Sequence, residues 1–503
     1  MRLGGVDSLG RVNDETTESL PEQMRVRREK LDRLRESGID PYPVAFPRTA
    51  TIAEIREKYP DLEPGSETGE KAGVAGRVIF ARNTGKLCFA TIRDGSGDIQ
   101  IMLSLAKVGE EALTAWKHDV DLGDHVGVEG EIITSRRGEL SVMADRFAIT
   151  SKCLRPLPEK HAGLTDPEAR VRYRYVDLIV NDEAREMARL RSATVRAVRD
   201  FWHDEGYLEV ETPMLQPIHG GATARPFKTH INAYDMDLYL RIAIELYLKR
   251  LVVGGIDRVY ELGKDFRNEG VSHKHNPEFT MLEWYEAYAD YEKTAHDLEM
   301  LVAEVAERVL GTTKVKRGEV EIDWAPPWRR ITLREAILER AGIDILEHPT
   351  REALVKAIGT EPDPKEGWGK LVDGLLSKEV EPGLIQPTFI FDYPVELSPF
   401  AKAHRSEQGM VERWEAFAGG VEIANSFTEL NDPDEQRRRF EQQAAEVARG
   451  DEEAQPFDEA FVEALEQGMP PTGGVGLGID RLVMMLTGAQ TLREVLLFPA
   501  MRR

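Results

Sequence analysis

Two short segments contain residue types suited to binding a nucleotide. The run Phe266-Arg267-Asn268-Glu269-Gly270 is followed, after a polar loop, by the segment from His275 to Tyr285. An arginine and an acid at the end of one strand, with Phe279 on the next, predict an antiparallel hairpin. In such a hairpin the arginine can bind a phosphate and the aromatic ring can stack on a base. A surface hairpin with a salt bridge is the alternative interpretation of these residues alone.

A third segment, Gly474-Val-Gly476-Leu-Gly478-Ile-Asp480-Arg481, is rich in glycine. It is not a dinucleotide-binding GxGxxG motif, because Ile479 occupies the position of the third glycine. Glycines at alternate positions leave one face of a strand without side chains, so a flat ligand could lie against the backbone. Arg481 could then cover the other side of the ligand. Close packing of a helix on the strand would explain the same pattern.

Two acids, Glu415 and Glu422, flank a Gly-Gly pair at 419–420. A two-residue turn there predicts that residue 415 pairs with residue 424, which places both carboxylates on one face of a hairpin. Two neighbouring carboxylates repel each other unless a cation lies between them, and oxygen ligands favour Mg²⁺. A solvated acidic pair is equally consistent with the spacing.

Together with Gly206–Pro213, these segments resemble motifs 1, 2 and 3 of the class II aminoacyl-tRNA synthetases. A barrel-like segment ahead of them resembles subclass IIb, which covers the lysyl, aspartyl and asparaginyl enzymes. Over about residues 19–501 the chain is similar to the bacterial lysyl-tRNA synthetases. The stretches that carry this similarity are 220–233, 245–255, 266–285, 422–433 and 476–486. Ile244 stands where many members have proline, and residues 1–18 match nothing in the family.

The resemblance implies a set of functional residues. Arg267 and Arg481 are the implied catalytic residues, with Arg267 on the α-phosphate and Arg481 opposite Phe279 across the adenine. The implied ATP site consists of Arg267, Glu269, His275, Asn276, Phe279, Glu415 and Arg481. The implied Mg²⁺ ligands are Glu415 and Glu422. The implied lysine site consists of Gly221, Glu245, Glu283, Tyr285, Asn425, Phe427 and Glu429.

Substrate choice also has a physical basis. A pocket for an ε-ammonium group needs a buried anion, which Glu429 provides, whereas an aspartate pocket needs an arginine. Segment 422–429 contains no arginine. We therefore expect lysine and not aspartate as the substrate. The resemblance implies that L-lysine and ATP form lysyl-adenylate and pyrophosphate, after which lysine passes to the 3′-terminal adenosine of tRNA(Lys). The substrate carboxylate is already ionised, so positioning and charge neutralisation should provide most of the rate.

Residues 73–150 contain five short β-rich runs separated by Gly- and Asp-rich turns, which favours an OB-fold barrel. The turn at 94–97 predicts that Phe89 and Gln100 lie on one face, where aromatic residues of OB-folds stack on bases. Phe89 in the barrel core is the alternative. The resemblance implies that the anticodon is read by Arg77, Phe89, Gln100 and Glu139.

The predicted fold class is α+β: an N-terminal OB-fold β-barrel followed by a class II catalytic domain built on an antiparallel β-sheet flanked by helices. The predicted domains are an extension over 1–18, a helical segment over 19–72, the anticodon-binding barrel over 73–150, a linker over 151–181 and the catalytic domain over 182–503, with a helical insertion at about 297–380. The resemblance of motif 1 implies a homodimer.

Composition narrows the protein class. The 503 residues include 66 Lys and Arg against 89 Asp and Glu, a net charge of −23, and Cys88 and Cys153 are the only cysteines. Two cysteines exclude a disulfide framework and a CxxC zinc site. No run approaches the length of a membrane-spanning helix, and residues 1–20 show no secretory signal, so we expect a cytoplasmic protein without membrane contact.

The net negative charge of the whole chain argues against a nucleic-acid partner, but the local distribution of charge does not. Segments 25–35 and 170–174 are rich in arginine, and tRNA would contact one face alone. Two other functions remain as alternatives. A paralogue that charges a protein lysine would lack the barrel, and a regulatory nucleic-acid-binding protein would have lost residues such as Arg267 and Arg481.

Overall fold

The computed structural model describes residues 21–158, 164–359, 366–448 and 456–502. The chain divides into two compact units, Met1–Gly163 and Leu164–Arg503. The N-terminal extension predicted over 1–18 lies outside the described residues.

The first unit is a closed barrel whose strands follow the order β1-β2-β3-β5-β4. The strands are β1 Glu67–Thr84, β2 Leu87–Arg93, β3 Asp98–Ser104, β4 His125–Thr134 and β5 Leu140–Ser151. The helices are α1 Glu22–Glu36, α2 Ile52–Lys58 and α3 Leu105–Asp119, the last interrupted at Gly109. Side chains alternate along β2, so that Cys88, Ala90 and Ile92 are buried in the barrel core. The predicted five-stranded barrel is confirmed.

The second unit is built on an eight-stranded sheet with the order β14-β15-β16-β17-β18-β11-β10-β6. Its pairs are antiparallel except β14 with β15 and β10 with β6. The sheet strands are β6 Leu208–Glu209, β10 Arg258–Phe266, β11 Glu278–Ala287, β14 Arg329–Thr332, β15 Thr388–Pro394, β16 Met410–Ala418, β17 Val421–Thr428 and β18 Thr472–Gly478. Smaller sheets contain β7 Leu215–Gln216, β8 Lys228–Ile231 and β9 Met236–Leu240, and β12 Lys314–Arg317 with β13 Val320–Asp323.

Helices flank this sheet, and one sheet face packs on an aromatic core containing Trp202, Trp284, Phe389 and Trp414. The helices are α4 Pro167–Arg172, α5 Arg174–Val180, α6 Asp182–Asp204, α7 Glu245–Val253, α8 Tyr291–Leu310, α9 Leu333–Ala341, α10 Arg351–Ile358, α11 Trp368–Leu375, α12 Pro433–Ala448, α13 Glu459–Glu466, α14 Ile479–Thr487 and α15 Leu492–Val495. Short 3₁₀ or π turns cover Ile345–Glu347, Leu376–Val380, Glu381–Gly383 and Val395–Leu397. The predicted α+β fold is confirmed.

Several local details differ from the sequence-based expectations. Helices α4 and α5 occupy part of the segment predicted as a linker, and the β12–β13 hairpin lies within the predicted helical insertion. The predicted pairing of residue 415 with residue 424 is wrong: Glu415 pairs with Asn425, because a β-bulge shifts the register between Ala416 and Phe417. Among the described residues no helix is long and apolar enough to cross a membrane.

Candidate active site

The β10–β11 hairpin brings an arginine and an aromatic ring together, as predicted from the sequence. Asp265 pairs with Phe279 across the two strands, and the Arg267 backbone N–H donates to the Pro277 carbonyl at 2.9 Å. The Arg267 guanidinium lies 5.2 Å from the centroid of the Phe279 ring, while its Nε donates to the Ile242 carbonyl at 3.3 Å. The hairpin therefore presents a cation beside an aromatic face at the edge of the sheet.

The loop of this hairpin carries the other residues implied for ATP. Glu269 and His275 are exposed, and Asn276 is half-buried, with its Nδ2 donating to the Glu278 carbonyl at 2.5 Å. His275 Nδ1 lies 2.8 Å from Ser272 Oγ. Desolvation, reinforced by the charge of Arg481, lowers the pKa of His275. The imidazole is therefore biased toward its neutral form.

Strand β18 supplies the glycine-lined surface. Gly474, Gly476 and Gly478 pair with Tyr285, Glu283 and Met281 of β11. Arg481, in the first turn of α14, donates from Nη1 to the Glu422 carbonyl at 2.7 Å and to its carboxylate at 3.0 Å. Alternate glycines leave one face of this central strand without side chains, as predicted. Gly476 and Gly478 are partly exposed, whereas the Glu429 carboxylate and the Tyr285 ring cover Gly474.

Glu415 and Glu422 lie on the same face despite the corrected register. Arg413 contacts the Glu415 carboxylate, and the Tyr393 hydroxyl donates to it at 2.9 Å. Burial raises the pKa of Glu415 to about 7, and the Glu422 charge adds to this rise. Burial alone would raise the pKa of Glu422 as well, but the charge of Arg481 lowers it. Glu422 is thus kept ionised, while Glu415 titrates near neutral pH.

These two carboxylates fit a Mg²⁺ ion that is completed by substrate phosphates. Mg²⁺ commonly takes one or two protein carboxylates together with phosphate oxygens and water. No group of three or more His, Cys, Asp or Glu residues suited to a metal occurs in the part of the chain that the structure describes. Glu415 and Glu422 therefore fit a Mg²⁺ ion whose remaining ligands are substrate phosphates and water. They do not fit a metal site whose ligands all come from the protein.

Four of the residues implied for lysine form a buried acidic pocket. Glu245, Glu283, Tyr285 and Glu429 are each at most 5% exposed. Glu283 accepts hydrogen bonds from the Tyr285 hydroxyl and from the Ile244 backbone N–H, both at 3.1 Å. A proline at position 244 could not donate this bond.

Burial controls the charge of the pocket. Desolvation raises the pKa of Glu429 to about 8, and it raises the pKa of Glu283 well above its ordinary value. The Oε1 atom of Glu429 accepts no hydrogen bond from any residue that the structure describes. A buried oxygen without a donor is costly in the empty protein and is suited to receive a ligand cation.

The remaining residues implied for lysine border this pocket. Gly221, at φ +86°, is close enough to α7 that a Cβ there would lie 3.1 Å from the Cβ of Glu245. Asn425 Oδ1 accepts from Arg413 Nε at 3.1 Å, and the Arg413 guanidinium lies 5.6 Å from the Phe427 ring centroid. The structure thus brings the residues implied for lysine, nucleotide and metal onto one face of the sheet.

Sequence reasoning missed three charged residues here. Lys249 is buried between Glu245 and Glu429, Arg413 joins Glu415 to Asn425, and Asp265 lies 3.0 Å from Arg241 Nε. Lys249 is four residues after Glu245 on a helix and Arg413 is two residues before Glu415 on a strand, so local periodicity could have suggested both. Nothing local indicates that these faces are buried.

In the barrel unit, Phe89 lies on the outer face and not in the core. It is half-buried and alternates with core residues, and it shares the outer face with Gln100, which is half-buried and pairs with Thr91. The core alternative for Phe89 is therefore wrong. Gln100 Oε1 accepts from Ser141 Oγ at 3.0 Å.

The two charged residues implied for the anticodon occupy different parts of the barrel. Arg77 pairs with Arg93 across β1 and β2, and its Nη1 donates to the Gly123 carbonyl at 2.7 Å. Glu139 is exposed in the β4–β5 turn, 3.6 Å from Arg56.

Comparison with known proteins gives a consistent result. Residues 166–502 match the family model for class II tRNA synthetases (D, K and N), and residues 73–150 match that for an OB-fold nucleic acid binding domain. A lysine–tRNA ligase of Mycolicibacterium gilvum is 52% identical over 98% of this chain and 99% of its own length. Those of Pelotomaculum thermopropionicum and Moorella thermoacetica are 52% and 50% identical over 99% and 95% of this chain and 97% of their own lengths. The chain therefore belongs to the class II tRNA synthetases of the D, K and N group.

Proposed function

We propose that this protein is a lysine–tRNA ligase. The observation that carries the proposal is the buried Glu429 carboxylate, whose Oε1 lacks a donor among the described residues and faces the glycine-lined side of the sheet. A carboxylate in that position selects a substrate with a terminal cation, which lysine has and aspartate and asparagine lack. Arg413, the arginine beside this pocket, is already bound to Glu415 and Asn425.

The proposed first step joins lysine to AMP. The lysine carboxylate attacks the α-phosphorus of ATP, an oxygen–phosphorus bond forms, and pyrophosphate leaves with the electrons of the broken bond. Arg267 would bind the α-phosphate, and Phe279 and Arg481 would enclose the adenine. Glu415 and Glu422 would hold Mg²⁺, which supplies charge neutralisation at the phosphates when bound.

The proposed second step transfers lysine to tRNA(Lys). The terminal adenosine hydroxyl attacks the adenylate carbonyl, and AMP leaves. We assign anticodon recognition to the outer barrel face bearing Phe89 and Gln100, where the half-buried Phe89 ring can stack on a base. Arg77 and Glu139 remain candidates for this role.

We further propose that the protein is a homodimer. Leu208, within the motif 1 segment Gly206–Pro213, is 52% exposed, and Leu215, just after it, is 47% exposed. Met214 and Ile218 nearby are exposed as well. Such a group of apolar side chains is typical of a protein interface. Light scattering should give a mass close to twice 56.7 kDa. The location in the cytoplasm stays a prediction.

A lysine-dependent ATP–pyrophosphate exchange assay tests the function. Exchange should require lysine and should not occur with aspartate or asparagine. Arg267→Ala should lower exchange by about 100- to 1,000-fold, the usual cost of losing one donor that stabilises a transition state. Arg258→Ala, on the same strand but paired with Glu286, is the matched control. Near-normal exchange in folded Arg267→Ala, or exchange supported by aspartate, would contradict the assignment.

A further inference from the structure

We propose that Lys249 is a positioning residue for lysine recognition. Its ammonium group is the counter-ion of Glu245 and Glu429 and binds one oxygen of each carboxylate, which leaves the other oxygens for the substrate. This inference rests on the proposed lysine specificity of the pocket. It assigns a role to a residue that does not itself need to contact the substrate.

The geometry places one ammonium group between two carboxylates. Lys249 is fully buried in α7, and its Nζ lies 2.5 Å from Glu245 Oε1 and also contacts Glu429 Oε2. The rings of Phe400 and Phe461 cover the ammonium, with centroids 5.1 and 6.0 Å away. A lysine held in this way is not a solvated surface charge, because both of its partners are also buried.

The two oxygens of Glu429 have different surroundings. Oε2 faces Lys249, whereas Oε1 faces Gly474 and the Tyr285 ring. Neither oxygen accepts a hydrogen bond from the described residues, but Oε2 is ion-paired with Lys249, so Oε1 is the oxygen left for an incoming cation. Lys249 therefore fixes the direction in which Glu429 presents its second oxygen.

The charge balance of the pocket supports the same role. Glu245, Glu283 and Glu429 are buried acids, and Lys249 is the buried cation among them, so the fully ionised group carries a formal charge of −2. The α- and ε-ammonium groups of lysine bring two positive charges. Asp265 and Glu261, farther along the same face, are already paired with buried Arg241. Without Lys249 the group would carry −3 before lysine binds.

Loss of the Lys249 charge would raise the pKa of Glu245 and Glu429 further, because this charge lowers the pKa of both buried carboxylates. Burial alone would lower the pKa of Lys249, yet Glu245 and Glu429 raise it, which keeps the ammonium charged. The charged and titratable groups around it are Glu245 on its own helix, Glu429 after β17, Glu283 and Tyr285 on β11, and the Arg250–Asp458 pair. A protonated Glu429 would bind an ammonium group less well.

The test compares Lys249→Met with a matched control. Lys152→Met removes another buried lysine that pairs with two aspartates, Asp121 and Asp124, but in the barrel unit. In lysine-dependent pyrophosphate exchange, Lys249→Met should raise the KM for lysine on the order of 10- to 100-fold, the range for loss of a charged hydrogen bond. The KM for ATP should stay within about twofold. Lys152→Met should leave both KM values near those of the wild type.

A pH profile separates positioning from general destabilisation. Between pH 6.5 and 9 the KM for lysine should fall to a plateau in both enzymes. Lys249→Met should reach its plateau at a higher pH than the wild type, because the carboxylates that have lost their counter-ion bind protons more tightly. If Lys249→Met does not fold, Lys249→Arg keeps the charge and should retain lysine KM within about tenfold of the wild type.

The outcomes distinguish the two proposals. Wild-type enzyme without lysine-dependent exchange overturns the proposed function. Active wild type with an unchanged lysine KM and pH profile in Lys249→Met overturns the role of Lys249. The role of Lys249 is also overturned if Lys249→Met raises the KM values for lysine and ATP equally. It is overturned as well if folded Lys249→Arg loses as much lysine binding as Glu429→Gln does.

Discussion

Gly474 lies so close to Glu429 that a Cβ atom at position 474 would overlap the Oε1 atom of the Glu429 carboxylate, and would overlap the Tyr285 ring as well. Gly474 lies in β18, Glu429 directly follows β17, and β18 is paired with both β17 and β11. The glycine therefore lets the Glu429 carboxylate and the Tyr285 ring pack directly against the β18 backbone.

Gly474→Ala should displace the Glu429 carboxylate and the Tyr285 ring from their present positions. Because the added methyl group meets a carboxylate and an aromatic ring at once, we expect the KM for lysine to rise at least about tenfold with little change in the KM for ATP. Steady-state pyrophosphate exchange measures both constants, and thermal unfolding monitors the fold. An unchanged lysine KM in a folded variant would show that lysine binding does not depend on the position of Glu429 beside Gly474.

Lysine recognition should depend on pH through Glu429. Its pKa is raised to about 8 in the empty pocket, so the carboxylate is mostly protonated below that pH and binds an ammonium group weakly there. The KM for lysine should therefore fall as pH rises from 6.5 to 8.5, by up to about tenfold per unit. Glu429→Gln should raise the KM on the order of 100-fold and flatten this pH dependence. Glu286→Gln, on the opposite face of β11, serves as the control, and a persisting pH slope in Glu429→Gln would assign the titration to another group.

The requirement for Mg²⁺ should depend on pH through Glu415. Its pKa is raised to about 7, so protons compete with the metal below neutrality, and the Mg²⁺ concentration for half-maximal exchange should decrease as pH rises from 6 to 8. Glu415→Gln removes one ligand charge and should raise that concentration on the order of tenfold. Glu412→Gln alters a buried acid of the same strand that is paired with Arg405 and should leave the Mg²⁺ dependence unchanged. If Glu415→Gln and Glu412→Gln had the same Mg²⁺ dependence, Glu415 would not be a ligand of the proposed metal site.

Phe89→Ala should separate the two reactions. The ring lies on the outer face of the barrel, so its loss should leave pyrophosphate exchange intact but weaken tRNA aminoacylation by about 5- to 100-fold, the cost of one stacked base. Tyr42→Ala, which removes an exposed aromatic outside the barrel strands, is the control. Equal losses of exchange and aminoacylation would instead indicate a role in folding.

Local patterns in the sequence predicted much of this architecture. The five β-rich runs predicted the barrel, and the alternating glycines predicted the face of β18 that lacks side chains. The spacing Thr332-x-x-Glu335 is typical of a capping box and forms one at the start of α9. These features depend on the two-residue period of a strand and on capping within one helical turn. Both act between residues that are near one another in the chain.

Features that depend on residues far apart in the chain were decided only by the tertiary structure. The β-bulge that moves the partner of Glu415 from residue 424 to Asn425 depends on how a whole hairpin packs into the sheet. Phe89 fits either face by its period alone, and only closure of the barrel turns it outward. Lys249 is a helical lysine like many others until the fold buries it against Glu429, 180 positions away. A sequence determines residue types and local periods, whereas burial, and with it the charge of these acids, follows only from the packing of the complete chain.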